Sequence, residues 1–93
     1  MVVGALEVEL HLPGCRSLKD KRLVLRSLMT RLRNRFNVAV GEVDHHDLWQ
    51  RALVGIVTVA GDTAVAHSIL QHAQDVVERD PRVEMIDVHV EMR

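Results

Sequence analysis

The chain has one cysteine, two prolines, one phenylalanine, one tryptophan and no tyrosine in its 93 residues. A single cysteine excludes an internal disulfide and any zinc site built on several thiolates. No apolar run reaches the roughly 18 residues that a membrane-spanning helix requires. The opening Met1-Val2-Val3-Gly4-Ala5-Leu6-Glu7 has no basic segment, and Glu7 interrupts it before a secretory core can form. The expectation is a cytoplasmic protein with Cys15 reduced. The scarcity of aromatics also limits how RNA could be read. Sheet surfaces that bind single-stranded RNA stack its bases on aromatic rings of their central strands, and this chain has almost none to offer.

What is present is a globular composition, 47% hydrophobic and 27% charged, in a length suited to one domain spanning residues 1–93. The net charge is −1, but the charges are segregated. Between Arg16 and Arg35 there are eight cations and one acid, Asp20; the rest of the chain has four cations and twelve acids. A segment of +7 is therefore balanced by a remainder of −8.

Apolar periodicity sets the element order. Residues Val2 to Leu12 alternate, with Gly4, Leu6, Val8, Leu10 and Leu12 on one face, the signature of a half-buried strand. Pro13-Gly14 ends it. Ser17 is placed as a helix N-cap, with Asp20 three residues on as a short capping box. Leu18, Leu25, Leu28, Met29 and Leu32 then fall within about 60° of one line on a helical wheel, and Asn34 closes the helix. Alternation resumes from Phe36 to Val43. The polar loop Asp44-His45-His46-Asp47 leads to a third strand, from about Gln50 to Ala60, with Val54 and Ile56 inward and Leu53, Val57 and Val59 opposite. Gly61-Asp62-Thr63 turns into a second helix whose apolar stripe is read as Val65, Ile69, His72 or Ala73, and Val76. Asp80-Pro81 ends it, and a last strand, Val83 to Met92, is expected to bury Ile86, Val88, Val90 and Met92. The order βαββαβ predicts an α+β ferredoxin-like fold, a four-stranded antiparallel sheet of order 4-1-3-2 with two helices on one face and the other face open.

Three short segments carry a resemblance. Ser17-Leu18-Lys19-Asp20-Lys21-Arg22 opens the first helix. Arg35-Phe36-Asn37-Val38 joins it to the next strand. Glu42-Val43-Asp44 with Asp47-Leu48-Trp49-Gln50 surrounds the polar loop. In this order they resemble the YlxP-like proteins, a bacterial family of about this length and of undefined biochemical function. The resemblance covers nearly the whole chain and implies a ferredoxin-like fold. It also implies a setting near RNA or the ribosome, because genes of that family often lie among those for transcription elongation, translation initiation and ribosome maturation. It implies no catalytic residue.

The basic helix is the strongest physical feature. With Leu25 at zero, Lys19, Arg22, Arg26 and Arg33 fall on one flank of the apolar stripe at about 60–120°, and Arg31 and Arg35 on the other. Cations clustered on one helix are the usual electrostatic footprint of a nucleic-acid-binding protein. Arg16, Ser17, Lys19, Lys21, Arg22, Arg26 and Arg33 are therefore the expected anion- or RNA-binding residues, with Arg16 to Arg22 gathered at the helix N-terminus, where free N–H groups favour a phosphate. Lys21 lies close to the apolar stripe, so its stem is expected to be partly buried with the ammonium at the edge. The nucleotide-binding GxxxxGK[ST] pattern is absent.

Other constellations are weaker. Asp44-His45-His46-Asp47 offers adjacent metal ligands, but neighbours on an extended loop point apart, and an Asx-type turn explains the carboxylates. Trp49 could stack a base or anchor a partner together with Asp44 and Asp47. The favoured reading closes one end of the core with it. His11, His89, Asp44 and Asp47 are the residues an enzyme would use, yet an open sheet face supplies neither solvent exclusion nor perturbed ionisation. Cys15 precedes the helix, where the dipole could lower its pKa. The expectation is a non-enzymatic binding module, RNA- or ribosome-associated through the basic helix, with no cofactor, no metal, no membrane and no identified small-molecule substrate. The alternative is an assembly module that dimerises through the apolar part of the open sheet face (Val3, Ala5, Val57, Val59) and grips an acidic protein with the basic helix.

Overall fold

Strict alternation in the first segment produces β1 (Val2–His11), which buries Gly4, Leu6, Val8 and Leu10 and leaves Glu7 in water. The computed structural model describes residues 1–93, and the elements that follow are α1 (Leu18–Arg35), β2 (Val38–Asp44), β3 (Arg51–Ala60), α2 (Thr63–Glu78) and β4 (Glu84–Met92). All strand pairings are antiparallel and the sheet runs β2-β3-β1-β4, the expected order read from its other edge. The arrangement is α+β and consistent with a ferredoxin-like fold.

The core lies between one sheet face and the two helices. Leu6, Val8, Leu10, Ala52, Val54 and Ile56 meet Leu25, Leu28 and Leu32 of α1 and Leu70, Ala73 and Val77 of α2. Each such aliphatic side chain contributes roughly 1.5–3 kcal/mol by leaving water. Gly4 marks a close approach of β1 to α2. A Cβ there would sit 2.9 Å from Leu70 Cδ1 and 3.2 Å from Met92 Sδ.

Helix α1 starts as its sequence dictates. Ser17 Oγ accepts from Asp20 N at 3.0 Å, the N-cap bond, and Asp20 Oδ2 accepts from Arg16 N at 2.9 Å, one residue before the N–H that a capping box would use. Asp62 caps α2 by accepting from Val65 N at 2.8 Å.

Two expectations about burial are corrected. The buried stripe of α2 is Ala66, Leu70, Ala73, Val76 and Val77; Val65 and His72 are exposed and Ile69 is half-buried. Ala73 and Val76 are buried as expected, and the centre of the stripe is turned by less than one residue from the expected phase, towards Ala66, Leu70 and Val77. In β4, Glu9 faces Asp87 but Leu10 faces Met85, so Ile86 is an extra residue in a β-bulge. Met85 takes the inward position, and Ile86 turns out with 47% of its surface exposed. Val88 and Met92 are half-buried, whereas Val90, on an edge strand, stays largely exposed.

Candidate functional site

The repeat that buries α1 runs Lys21, Leu25, Leu28, Leu32, so a lysine fills the first core position of the helix. Its side chain is 1% exposed. The ammonium is inside with the stem, not at the edge as expected, and burial removes Lys21 from the residues that could touch a phosphate. Burying a charge costs several kcal/mol unless it is paired and hydrogen-bonded. Nζ donates to three carbonyls, His45 O at 2.8 Å, Arg51 O at 3.2 Å and His46 O at 3.3 Å. Glu42 Oε2 lies 2.8 Å away. With the three N–H bonds directed at carbonyls, Glu42 answers the charge without receiving a well-aligned hydrogen bond.

These bonds fix the loop between β2 and β3, residues 45–50. His45 has a φ of 64°, the left-handed region that costs a non-glycine residue about 1 kcal/mol. It is held there by Asp44 Oδ1, which accepts from His45 N at 2.7 Å, and by Leu48 N, which donates to His45 O at 3.0 Å. The His45 ring meets Glu9 at 3.1 Å, and the His46 ring meets Glu42 O at 3.1 Å. Gln50 Nε2 donates to Cys15 O at 3.0 Å and Pro13 O at 3.3 Å, and Leu12 N donates to Gln50 O. The two histidines thus face different partners, and no three His, Cys, Asp or Glu side chains gather as a metal set. Lys21 and Glu42 come from the first and third of the quoted segments, and the buried pair joins them.

The same loop leaves its tip in solvent. Trp49 is 54% exposed and Leu48 47%, so Trp49 does not close the core. Asp44 and Asp47 are also exposed, and Asp44 is engaged in the turn.

The basic residues of α1 divide by partner. Arg31 reaches Asp80 at 2.8 Å, and Lys21 has Glu42. Arg16, Lys19, Arg22, Arg26, Arg33 and Arg35 are exposed and have no carboxylate within 4 Å. Arg33 donates to Val40 O on the outer strand at 2.9 Å, and Arg35 lies 5.5 Å from the Phe36 ring. The Arg33 bond ties the C-terminal end of the Lys19–Arg22–Arg26–Arg33 flank to β2, while Lys19, Arg22 and Arg26 stand exposed along the helix. The solvent face of α1 carries a shallow depression of about 520 Å³, with Ser27 and Thr30 between Arg26, Arg31 and Arg35. At the helix start Ser17 is occupied as a cap and the Asp20 carboxylate already answers the Arg16 N–H, so this end holds an anion of its own.

Asp80 is buried and receives two guanidinium groups. Arg82 contacts it through Nε at 2.9 Å and Nη2 at 2.6 Å, and Arg31 from α1 at 2.8 Å. Hydrogen bonding to Arg82 above all, against the opposing effect of burial, lowers its pKa to about 2. Burial raises the Cys15 thiol, with Asp20 adding to the rise and Lys21 opposing it. Burial thus outweighs any lowering by the helix dipole, in keeping with the reading of Cys15 as a spectator.

The proposed acid–base residues are separated. Glu7 faces His89, Glu9 faces Asp87 and Ala5 faces Glu91, while His11 sits opposite Glu84. His11 and His89 are therefore four positions apart along β1, roughly 13 Å, and are not neighbours. His11 contacts Glu84 at 3.3 Å and His89 approaches Glu91 at 3.7 Å; both pairs are wet. The open sheet face carries its acids on β1 and β4, with Glu91 beside Ala5, and its apolar strip where Val57 and Val59 are exposed opposite half-buried Ala5 and Val3.

Fold and surface together define a small α+β domain with one basic helix and an acidic sheet face on which His11 and His89 stand apart. The chain belongs to the YlxP-like family. The family model described as "Protein of unknown function (DUF503)" matches residues 3–90. The chain is 34% identical over 83 residues to the "Uncharacterized protein YlxP" of Bacillus subtilis (strain 168), a match covering 89% of this chain and 90% of that protein. Neither match indicates an enzymatic family. No helix is long and apolar enough to cross a membrane.

Proposed function

We propose that the protein is a non-enzymatic binding module that holds RNA, free or within the ribosome, through phosphate contacts along α1. The observation that supports this reading is the set of six exposed cations between Arg16 and Arg35 that no carboxylate of the chain reaches. The chain has thirteen acids, and only Glu42 and Asp80 are directed at this segment's side chains. Like charges three and four positions apart on a helix destabilise it modestly, and a polyanion relieves that repulsion. Lys19, Arg22, Arg26 and Arg33 extend about 21 Å along the helix axis at 1.5 Å per residue. Such contacts fix position and carry no sequence information by themselves. The acidic residues Glu7, Asp87 and Glu91 make the open sheet face a poor surface for a phosphate backbone.

The test is gel shift and ribosome co-sedimentation with the Arg22→Glu, Arg26→Glu, Arg33→Glu triple variant. The variant keeps the wild-type fold by circular dichroism and loses binding. Wild-type affinity retained by the triple variant sinks the reading.

A second reading concerns assembly and has its own observation. Val57 and Val59 are 37% and 49% exposed in one apolar strip with Val3 and Ala5, and an exposed strip of this kind often marks an interface. We propose that this half of the open face pairs with a second copy. Light scattering on wild type and Val59→Lys decides it, since a dimer that survives the lysine does not use this face.

A further inference from the structure

Resting on the RNA reading above, we propose that Trp49 is a base-stacking platform and that the ligand is single-stranded RNA, one unpaired base lying on the indole while the backbone follows the α1 cations. Three observations carry the inference together.

Trp49 is a large aromatic left 54% exposed in a chain that has only one other aromatic residue. Burying its ring would have stabilised a domain this small, so its outward position marks a surface the core did not use.

The loop that presents it is anchored on both sides by buried or bonded groups. Lys21 holds the carbonyls of His45, His46 and Arg51, and Gln50 is tied to Cys15 and Pro13. Ordering a flexible loop on binding consumes affinity; this one is ordered beforehand, and the residues between the anchors, Asp47, Leu48 and Trp49, are the ones that face out.

The anchors also set the loop's location. Lys21 belongs to the first turn of α1 and Cys15 directly precedes Arg16, so Trp49 stands at the N-terminal end of the domain's cationic track, beside the segment carrying Arg16, Lys19 and Arg22. An aromatic platform next to a line of cations is the arrangement by which proteins hold single strands: cations track phosphates, and the ring accepts any base. A duplex keeps its bases stacked and out of reach, so one protruding ring favours an unpaired strand.

The experiment uses the full chain and two probes, a mixed-sequence single-stranded oligoribonucleotide of about twelve nucleotides and the same sequence as a duplex, each of a length that a single-strand site and the cation track can engage. Trp49 is the only tryptophan, so its emission reports stacking directly. The single strand quenches wild-type emission, and the duplex does so much less. Trp49→Ala lowers single-strand affinity by about five- to a hundredfold, the loss of one base–aromatic stack, and Trp49→Phe restores most of it. Duplex binding and the salt slope are unchanged in both variants, because no cation has been removed. If wild type binds the single strand without quenching and Trp49→Ala binds it equally well, the stacking proposal is overturned while electrostatic RNA binding stands. If wild type binds neither probe, both readings fall.

Discussion

Helices α1 and α2 lie on the same face of the same sheet and close the same core, yet their outer surfaces have little in common. Helix α2 buries Ala66, Leu70, Ala73, Val76 and Val77 and has no lysine or arginine in its sixteen residues. Helix α1 buries Leu25, Leu28 and Leu32 beside a lysine and has seven cations against one acid. If covering the sheet required cations, α2 would have them. Covering the sheet therefore does not account for the charge of α1, whose cations differ in what they meet. Lys21 points inward and organises the loop at residues 45–50. Lys19, Arg22, Arg26 and Arg33 point outward with no acid to meet.

The largest effect comes from treating the inward cation as though it were one of α2's aliphatic residues. Lys21→Met leaves the carbonyls of His45, His46 and Arg51 and the carboxylate of Glu42 without their shared partner. Removing one member of a buried pair costs about 3–5 kcal/mol. Leu70→Ala, in the buried stripe of α2, costs about 2–5 kcal/mol. Urea denaturation measures both. The mechanisms separate on adding Glu42→Gln, which recovers part of the Lys21→Met loss and does nothing for Leu70→Ala. A Lys21→Met variant as stable as wild type would mean that the ammonium is not confined as described.

If the outward cations hold RNA as proposed, replacing them costs binding and leaves folding intact. The triple variant Arg22→Glu, Arg26→Glu, Arg33→Glu shifts stability by less than about 1 kcal/mol, as surface substitutions usually do. It abolishes RNA binding at moderate salt. Milder Arg→Gln changes at the three sites lower the slope of log affinity against log salt by about three, one for each phosphate no longer neutralised. An unchanged slope would mean that RNA is held elsewhere on the domain. On the proposed reading, Lys21 and Arg31 serve stability through Glu42 and Asp80, and the outward cations serve affinity.

The sequence makes the element order, the sheet order and the α1 stripe legible, because alternation in β1 and the Leu25–Leu28–Leu32 spacing are unambiguous. Where it fails, the pattern permits two answers. Helix α2 has apolar residues at 64, 65, 66, 69, 70, 73, 76 and 77, which support two overlapping stripes, and the one that packs inward brings Leu70 close to Gly4. Alternation in β4 cannot reveal that Ile86 is bulged, since the inserted residue is itself apolar. The exposure of Trp49 is hidden in the sequence because its size favours burial, whereas polar anchors on either side decide its place. Lys21 is half legible: its position near the stripe points to a buried stem, but its charge partners, Glu42 and the loop carbonyls, are distant in sequence.

The smallest effect concerns the one place where the acid beyond α2 meets a cation of α1. Asp80 follows the C-cap of α2 and takes Arg31 from α1 and Arg82 from its own turn. Its pKa is lowered to about 2, below the ordinary carboxylate value near 3.9 of an unfolded chain. A depressed folded-state value means stability that is fully present above about pH 4 and is lost as pH falls towards 2. The linked stabilisation is about 1–2 kcal/mol once solvent screening around the partly exposed arginines is allowed for. Asp80→Asn should therefore lower stability by that amount at pH 7, and the gap to wild type should narrow steadily at pH 4, 3 and 2, where the wild-type carboxyl gains its proton. Urea midpoints across that range measure it. A gap that stays constant with pH would show that Asp80 acts through shape and neutral hydrogen bonds, and that the charges of the two helices are not coupled through it.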